Sequence, residues 1–256
     1  MKWDAEAYDT VESPQTDAGA ELIAMAGVRE NDSILDIGCG TARLTLELAR
    51  LAHKGRVVGI DPSSEMLGRA EEASASVDNI LLMNIPAQKM AFNEEFDLVY
   101  SNSALQWIKE QEDVIIRSYK ALKSDGRIAL QLPARDFGWA MTENIHSAFL
   151  ALGLDSEYDK MESPWRFPLK SEMEGYLSDA GFIGVRTFYR EYTLLFESVN
   201  DVLAWAASAG VRPFLARLPE KKQERFKYAF AMGFENYRTE KGIEFDFRRL
   251  FAFGEK

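Results

Sequence analysis

Cysteine is nearly absent: the 256 residues hold one, Cys39, so no internal disulfide can form, and a reducing, cytoplasmic setting is expected. Histidine occurs twice, at His53 and His146, with no HxxxH spacing, so no metal site is expected. No run of about 18 apolar residues exists to cross a bilayer, and the opening "MKWDAEAYDT" lacks the apolar stretch of a signal peptide. Basic residues are outnumbered, 30 against 41 acidic ones, for a net charge of −11. That balance argues against nucleic acid, which needs a basic face. It leaves room for an anionic small molecule, because a local pocket can be basic on an acidic protein. Oligomeric state has no signature in the sequence.

What is present is an apolar content of 46%, enough for a proper core. The first 130 residues alternate helix-like and strand-like pieces. The pattern predicts strands at 33–38, 55–61, 79–84, 96–103 and 127–133, with helices at 21–28, 41–52, 63–75 and 112–123 between them. Such alternation implies βαβ units with right-handed crossovers, hence an α/β, doubly wound, mostly parallel sheet. Its ligand crevice lies beyond the carboxyl ends of the strands, at the switch point. Residues 181–196 and 243–256 read as two more strands, seven in all, with helical stretches at 141–152, 171–180, 198–210 and 221–241. One domain over 1–256 is expected. Its core spans about 20–135 plus 181–196 and 243–256. Helical insertions at about 134–180 and 197–242 form an acceptor-side cap, the latter just before the last strand.

The glycine pair Gly38 and Gly40 sits at a strand-to-helix turn, where backbone can approach a ligand closely. A pyrophosphate-binding turn carries a third glycine, and Arg43 occupies that position. Asp36, just before the turn, would repel a pyrophosphate and suits a cationic amine. Together these features disfavour a nicotinamide cofactor and favour S-adenosylmethionine, which has an ammonium, a sulfonium and no phosphate. Asp61 ends the second strand, 23 residues after Gly38, where an acid accepts hydrogen bonds from ribose hydroxyls. Met66, one helical turn on, has the shape to pack against an adenine face. Cys39 reads as a small filler rather than a nucleophile.

"ILDIGCGTARLT", "VVGIDPSSEML", "FDLVYSNSALQWI" and "ALKSDGRIAL" together resemble the ordered motifs of the class I S-adenosylmethionine-dependent methyltransferases. The resemblance covers 20–135 well and implies a Rossmann-like methyltransferase fold. "SNSALQW" further resembles the trans-aconitate methyltransferases and the malonyl-carrier-protein methyltransferases. Trp3, Tyr8 and "VLAWAASAGVRPFLARL" (202–218) favour the first of these. The cofactor residues it implies are Asp36, Gly38, Cys39, Gly40, Arg43, Asp61, Pro62, Met66, Ala87, Gln88, Asn102 and Ser103, with Tyr8 as a lid. One departure stands out. Where the family has an aspartate for the adenine amino group, "NIPAQKM" has Pro86, which shifts adenine recognition to Ala87 and Gln88.

Methyl transfer to a carboxylate needs no general base, because the nucleophile is already ionised at pH 7. It needs positioning, for which arginine forks are suited. Arg212 in "GVRPF" is the leading candidate, with Arg135 and Arg166 behind it. Gln106 and Trp107 are expected to border the methyl group. The reading is carboxyl O-methylation of a small, anionic (poly)carboxylic acid of the trans-aconitate type. The alternatives are a carrier-bound malonyl group, another small-molecule oxygen, nitrogen or carbon centre, and an inactive cofactor-binding regulator.

Overall fold

The computed structural model describes residues 14–135, 139–208 and 210–256. The expected sheet is there, with one strand more. Its main path runs β3-β2-β1-β4-β5-β8-β6, and a two-residue strand, β7, pairs with β8. The strands are β1 (Ser33–Ile37), β2 (Arg56–Ile60), β3 (Ile80–Met83), β4 (Phe96–Asn102), β5 (Leu122–Pro133), β6 (Ile183–Phe196), β7 (Arg238–Thr239) and β8 (Gly242–Glu255). Strands β1 to β5 are parallel, whereas β8 runs antiparallel between β5 and β6. From β1 the chain winds outward through β2 and β3, then returns to place β4 on the other side of β1. The switch point therefore lies beyond the ends of β1 and β4.

Apolar residues on both faces of β1 and β4 explain their central position, with Ile34, Leu35, Leu98, Val99 and Tyr100 all fully buried. One face is covered by α1 (Pro14–Ala26) and α2 (Arg43–Leu51), which contribute Ala18, Leu22, Leu48 and Ala49 to a cluster with Ile34 and Tyr100. The other face is covered by α4 (Gln111–Ala121) and α7 (Lys170–Ala180), whose Val114, Ile115, Met173 and Leu177 pack with Leu35, Ile37 and Val99. Helix α3 (Ser64–Ser74) packs against β3.

A second core lies over the carboxyl ends of the sheet. It joins α5 (Trp139–Ala151) to α8 (Val199–Ser208), α9 (Arg212–Leu215), α10 (Glu220–Gly233) and the first half of β8, through Phe149, Trp205, Phe214, Phe226, Phe230, Phe245 and Phe247. Short α6 (Asp155–Asp159) flanks it. Phe226, Phe230 and Phe234 of the aromatic stretch at 226–237 are thus core, whereas Tyr228 is exposed. One expected cap helix is elsewhere: α7, at the end of the 134–180 insertion, packs beneath the sheet because Met173 and Leu177 face that core.

Candidate cofactor and acceptor site

The turn after β1 is built from alternating left-handed residues: Gly38 at φ +78°, Gly40 at φ +57° and Ala42 at φ +67°. Gly38 cannot carry a side chain, because a Cβ there would come within 2.2 Å of Ala104 Cβ. Its N–H and that of Cys39 both donate to Ile60 O, at 2.8 and 3.2 Å, fastening the turn to the end of β2. The Gly40 N–H donates to Asp61 Oδ2 at 3.1 Å, and the Ser63 N–H donates to Asp61 Oδ1 at 2.8 Å. Both carboxylate oxygens are thus engaged, and each keeps a further lone pair for a ligand hydroxyl. Burial raises the Asp61 pKa, while the Ser63 and Gly40 N–H groups pull it the other way. Ser63 Oγ caps α3 by accepting from the Met66 N–H at 3.3 Å, which directs buried Met66 at the turn.

A cavity of about 340 Å³ opens from this turn. Gly38, Gly40, Asp61, Pro62 and Met66 form one end, together with Pro86, Ala87 and Gln88 from the short helical turn after β3. Asn102 and Ser103, at the carboxyl end of β4, and Gln106 and Trp107 after it, form the middle. The far end is formed by Met141, Thr142, Trp165, Phe167 and Trp205 from the insertions and by Phe247 and Arg249 from β8. Ser103 itself adopts φ +56°, and its N–H donates to Gln131 O at 2.8 Å. Gln106 Nε2 folds back to Ser103 O at 2.7 Å. Gln88 Nε2 reaches Glu110 Oε2 at 3.5 Å, while the residue itself lines the cavity.

Four expected residues are absent from the cavity wall. Asp36 shares the strand parity of Ile34, which turns it toward α2 rather than into the crevice. There it is buried and accepts from Thr45 Oγ1 at 2.7 Å. Cys39 packs against Gly59, whose missing side chain makes the room, and burial pushes its thiol far above the ordinary range. That fits the filler role. Arg43 is exposed at the first residue of α2. Arg212 opens α9, where its carbonyl accepts from Ala216 N and its neighbours Pro213 and Phe214 fill the cap core. The two lesser arginine candidates are also engaged elsewhere. Arg166 donates to Lys109 O, Tyr176 Oη and Glu112 Oε1, and Arg135 pairs with Glu172 at 3.3 Å. Tyr8 and Trp3 lie outside the described residues.

The arginine that does line the cavity is Arg249, from the middle of β8. It is fully buried. Its Nη2 donates to Ser103 Oγ and, at 2.5 Å, to Gln131 Oε1, and its guanidinium lies 5.0 Å from the centre of the Phe247 ring. The signal for it was present in "IEFDFRRLF". Ile243, Phe245 and Phe247 set the inward parity, and Arg249 falls on it while Arg248 falls between.

A glycine turn whose Gly38 has no room for a Cβ, a carboxylate at the end of β2 and an open cavity end with no cationic group among the described residues fit an adenosyl cofactor lacking phosphates. Comparison with known proteins agrees. A methyltransferase domain model matches residues 35–130. An uncharacterized methyltransferase of Schizosaccharomyces pombe is 30% identical over 189 residues, 70% of each chain. A trans-aconitate 2-methyltransferase of Delftia acidovorans is 27% identical over 262 residues, covering 99% of this chain and 96% of that one. Among solved structures, Haemonchus contortus phosphoethanolamine N-methyltransferase 2 in complex with S-adenosyl-L-methionine superposes with a TM-score of 0.62. It is 17% identical, over 98% of this chain and 56% of that one. The chain belongs to the S-adenosylmethionine-dependent methyltransferases. It is an enzyme of that class, and its cofactor is S-adenosylmethionine.

Proposed function

We propose that the protein methylates a carboxylate oxygen of a small carboxylic acid. The observation that carries this reading is Arg249, a fully buried cation in the wall of the cavity, tied to the residue that follows β4. The relatives that bear the name trans-aconitate 2-methyltransferase support an acid as acceptor.

Gly38, Gly40, Asp61, Pro62 and Met66 would hold the cofactor, with Ala87 and Gln88 beside its adenine and Asn102 and Ser103 beside its methionine portion. When bound, the cofactor supplies a methyl group on a sulfonium sulfur that departs as a neutral thioether. Arg249 donates a charge-assisted hydrogen bond to the acid's carboxylate and fixes its orientation. Gln131 and Ser103 hold the guanidinium in place, so little freedom remains to be lost on binding. No proton moves at the acceptor, since the carboxylate enters ionised. Trp107, Trp165 and Trp205 exclude water, which strengthens the ion pair. Esterification removes the acceptor's charge, so the product loses its attraction to Arg249 and leaves.

The test is ester formation, read by mass spectrometry, from S-adenosylmethionine and a panel of mono-, di- and tricarboxylates that includes trans-aconitate. Methyl ester from at least one acid is expected. A panel that yields none, with S-adenosylhomocysteine binding intact, overturns carboxyl transfer.

A further inference from the structure

We infer that the acceptor is a monocarboxylic acid with an apolar, aryl or alkyl body, and not a polycarboxylate. The inference rests on the carboxyl-transfer reading above and narrows its substrate class. Its basis is the charge inventory of the cavity. Asp61 and Arg249 are the only charged residues among the described residues that line it. Asp61 belongs to the glycine-turn end, which leaves one cation for the acceptor. Outside the described residues, 136–138 and 209 hold no basic residue, and 1–13 hold one, Lys2.

Around Arg249 the wall is aromatic. Trp107 and Trp165 meet edge to face at 6.0 Å between centroids, and Trp165 stacks on Phe167 at 5.6 Å. Trp205 stands perpendicular to Phe247 at 6.0 Å, and Phe247 lies under the guanidinium itself. A carboxylate with a flat or slender apolar body satisfies both features at once. Its charge meets Arg249, and its body replaces water against the rings. A tricarboxylate places one charge on Arg249 and leaves two against indole and phenyl surfaces, stripped of water and unmatched. The other polar liners, Gln88, Asn102, Ser103, Gln106 and Thr142, are neutral amides and hydroxyls. They can orient an acid but cannot neutralise two further charges.

The experiment measures 3-phenylpropanoate, octanoate, tricarballylate and trans-aconitate in two ways: kcat/KM for ester formation, and binding by quenching of tryptophan fluorescence. The expected result is at least a tenfold preference for the monoacids in both. 3-Phenylpropanamide, which lacks the charge, is expected to bind at least tenfold more weakly than the acid. Met141→Lys adds a second cation to the same wall, and it should move the preference at least tenfold toward the tricarboxylates. Tricarboxylates bound and methylated as well as the monoacids by the unaltered enzyme would overturn the inference, as would an amide that binds like the acid. Monoacid-selective binding with no ester from any acid would uphold the ligand class while sinking the reaction proposed for it.

Discussion

Thr45 Oγ1, in the first turn of α2, donates at 2.7 Å to Asp36 Oδ2 in β1, and the carboxyl group it holds is sealed from solvent. Burial pushes the Asp36 pKa up to about 7. The Thr45 hydrogen bond works against that rise, and the nearby Asp61 charge adds to it. Between about pH 4 and pH 7 the folded state therefore keeps a proton that the unfolded state releases. Stability is fully present below the ordinary carboxylate pKa and falls as pH rises toward 7. At about 1.4 kcal/mol per pH unit the fall reaches a few kcal/mol. Urea midpoints from pH 4 to 8 should show Asp36→Asn gaining on the unaltered protein through that window and levelling off above it. A constant gap between the two would refute the assignment.

The two glycines of the turn should differ sharply in tolerance. An alanine at Gly40 bears only the left-handed backbone cost of about 1–2 kcal/mol, since its Cβ would sit 3.6 Å from Met66 Cε. An alanine at Gly38 adds a collision with Ala104, for a total of about 2–5 kcal/mol. Chemical denaturation should rank Gly38→Ala well below Gly40→Ala, and S-adenosylhomocysteine binding should follow the same order. Equal losses would show that the approach to Ala104 can relax.

Pro86 lines the cavity at the start of the 87–89 turn, at the position where the family resemblance implies an aspartate. Its carbonyl already accepts from Lys89 N at 2.8 Å, so the backbone shape survives without the ring. We expect Pro86→Asp to gain a charge-assisted hydrogen bond to the adenine amino group, worth about 1.5 kcal/mol. Titration calorimetry should find S-adenosylhomocysteine bound about tenfold more tightly. An unchanged or weaker Kd would mean that adenine does not lie beside this residue.

Arg249→Lys keeps the charge and loses the fork. For a methylated acid, KM should rise at least about tenfold, while the Kd of S-adenosylhomocysteine stays within about twofold. Loss of cofactor binding in step with acid binding would instead mark Arg249 as a strut of the sheet.

The cofactor end was legible because its signals are local. Glycines at a strand end, an acid closing the next strand and a serine cap on α3 each lie within a few residues of the structure they specify. Asp36 was read by its distance from Gly38, but its parity with Ile34 sends it under α2. The acceptor side was less legible because it depends on which elements meet. Arg249 reaches the cavity only because β8 enters between β5 and β6, a pairing that joins residues more than 100 positions apart, as with Gln131 and Arg249. Arg212 looked favourable within its own turn, but the buried Pro213 and Phe214 set the direction of α9.

The interior position of β8 has a consequence for how the protein is made. Every other strand leaves the ribosome earlier, yet β5 and β6 have no direct partner in each other and meet only through β8. Until β8 is made, the edge of β5 that faces away from β4 has no strand to pair with. The cap helices likewise lack Phe245 and Phe247 to close on. The strand that completes the sheet is thus also the one that brings Arg249 into the cavity wall.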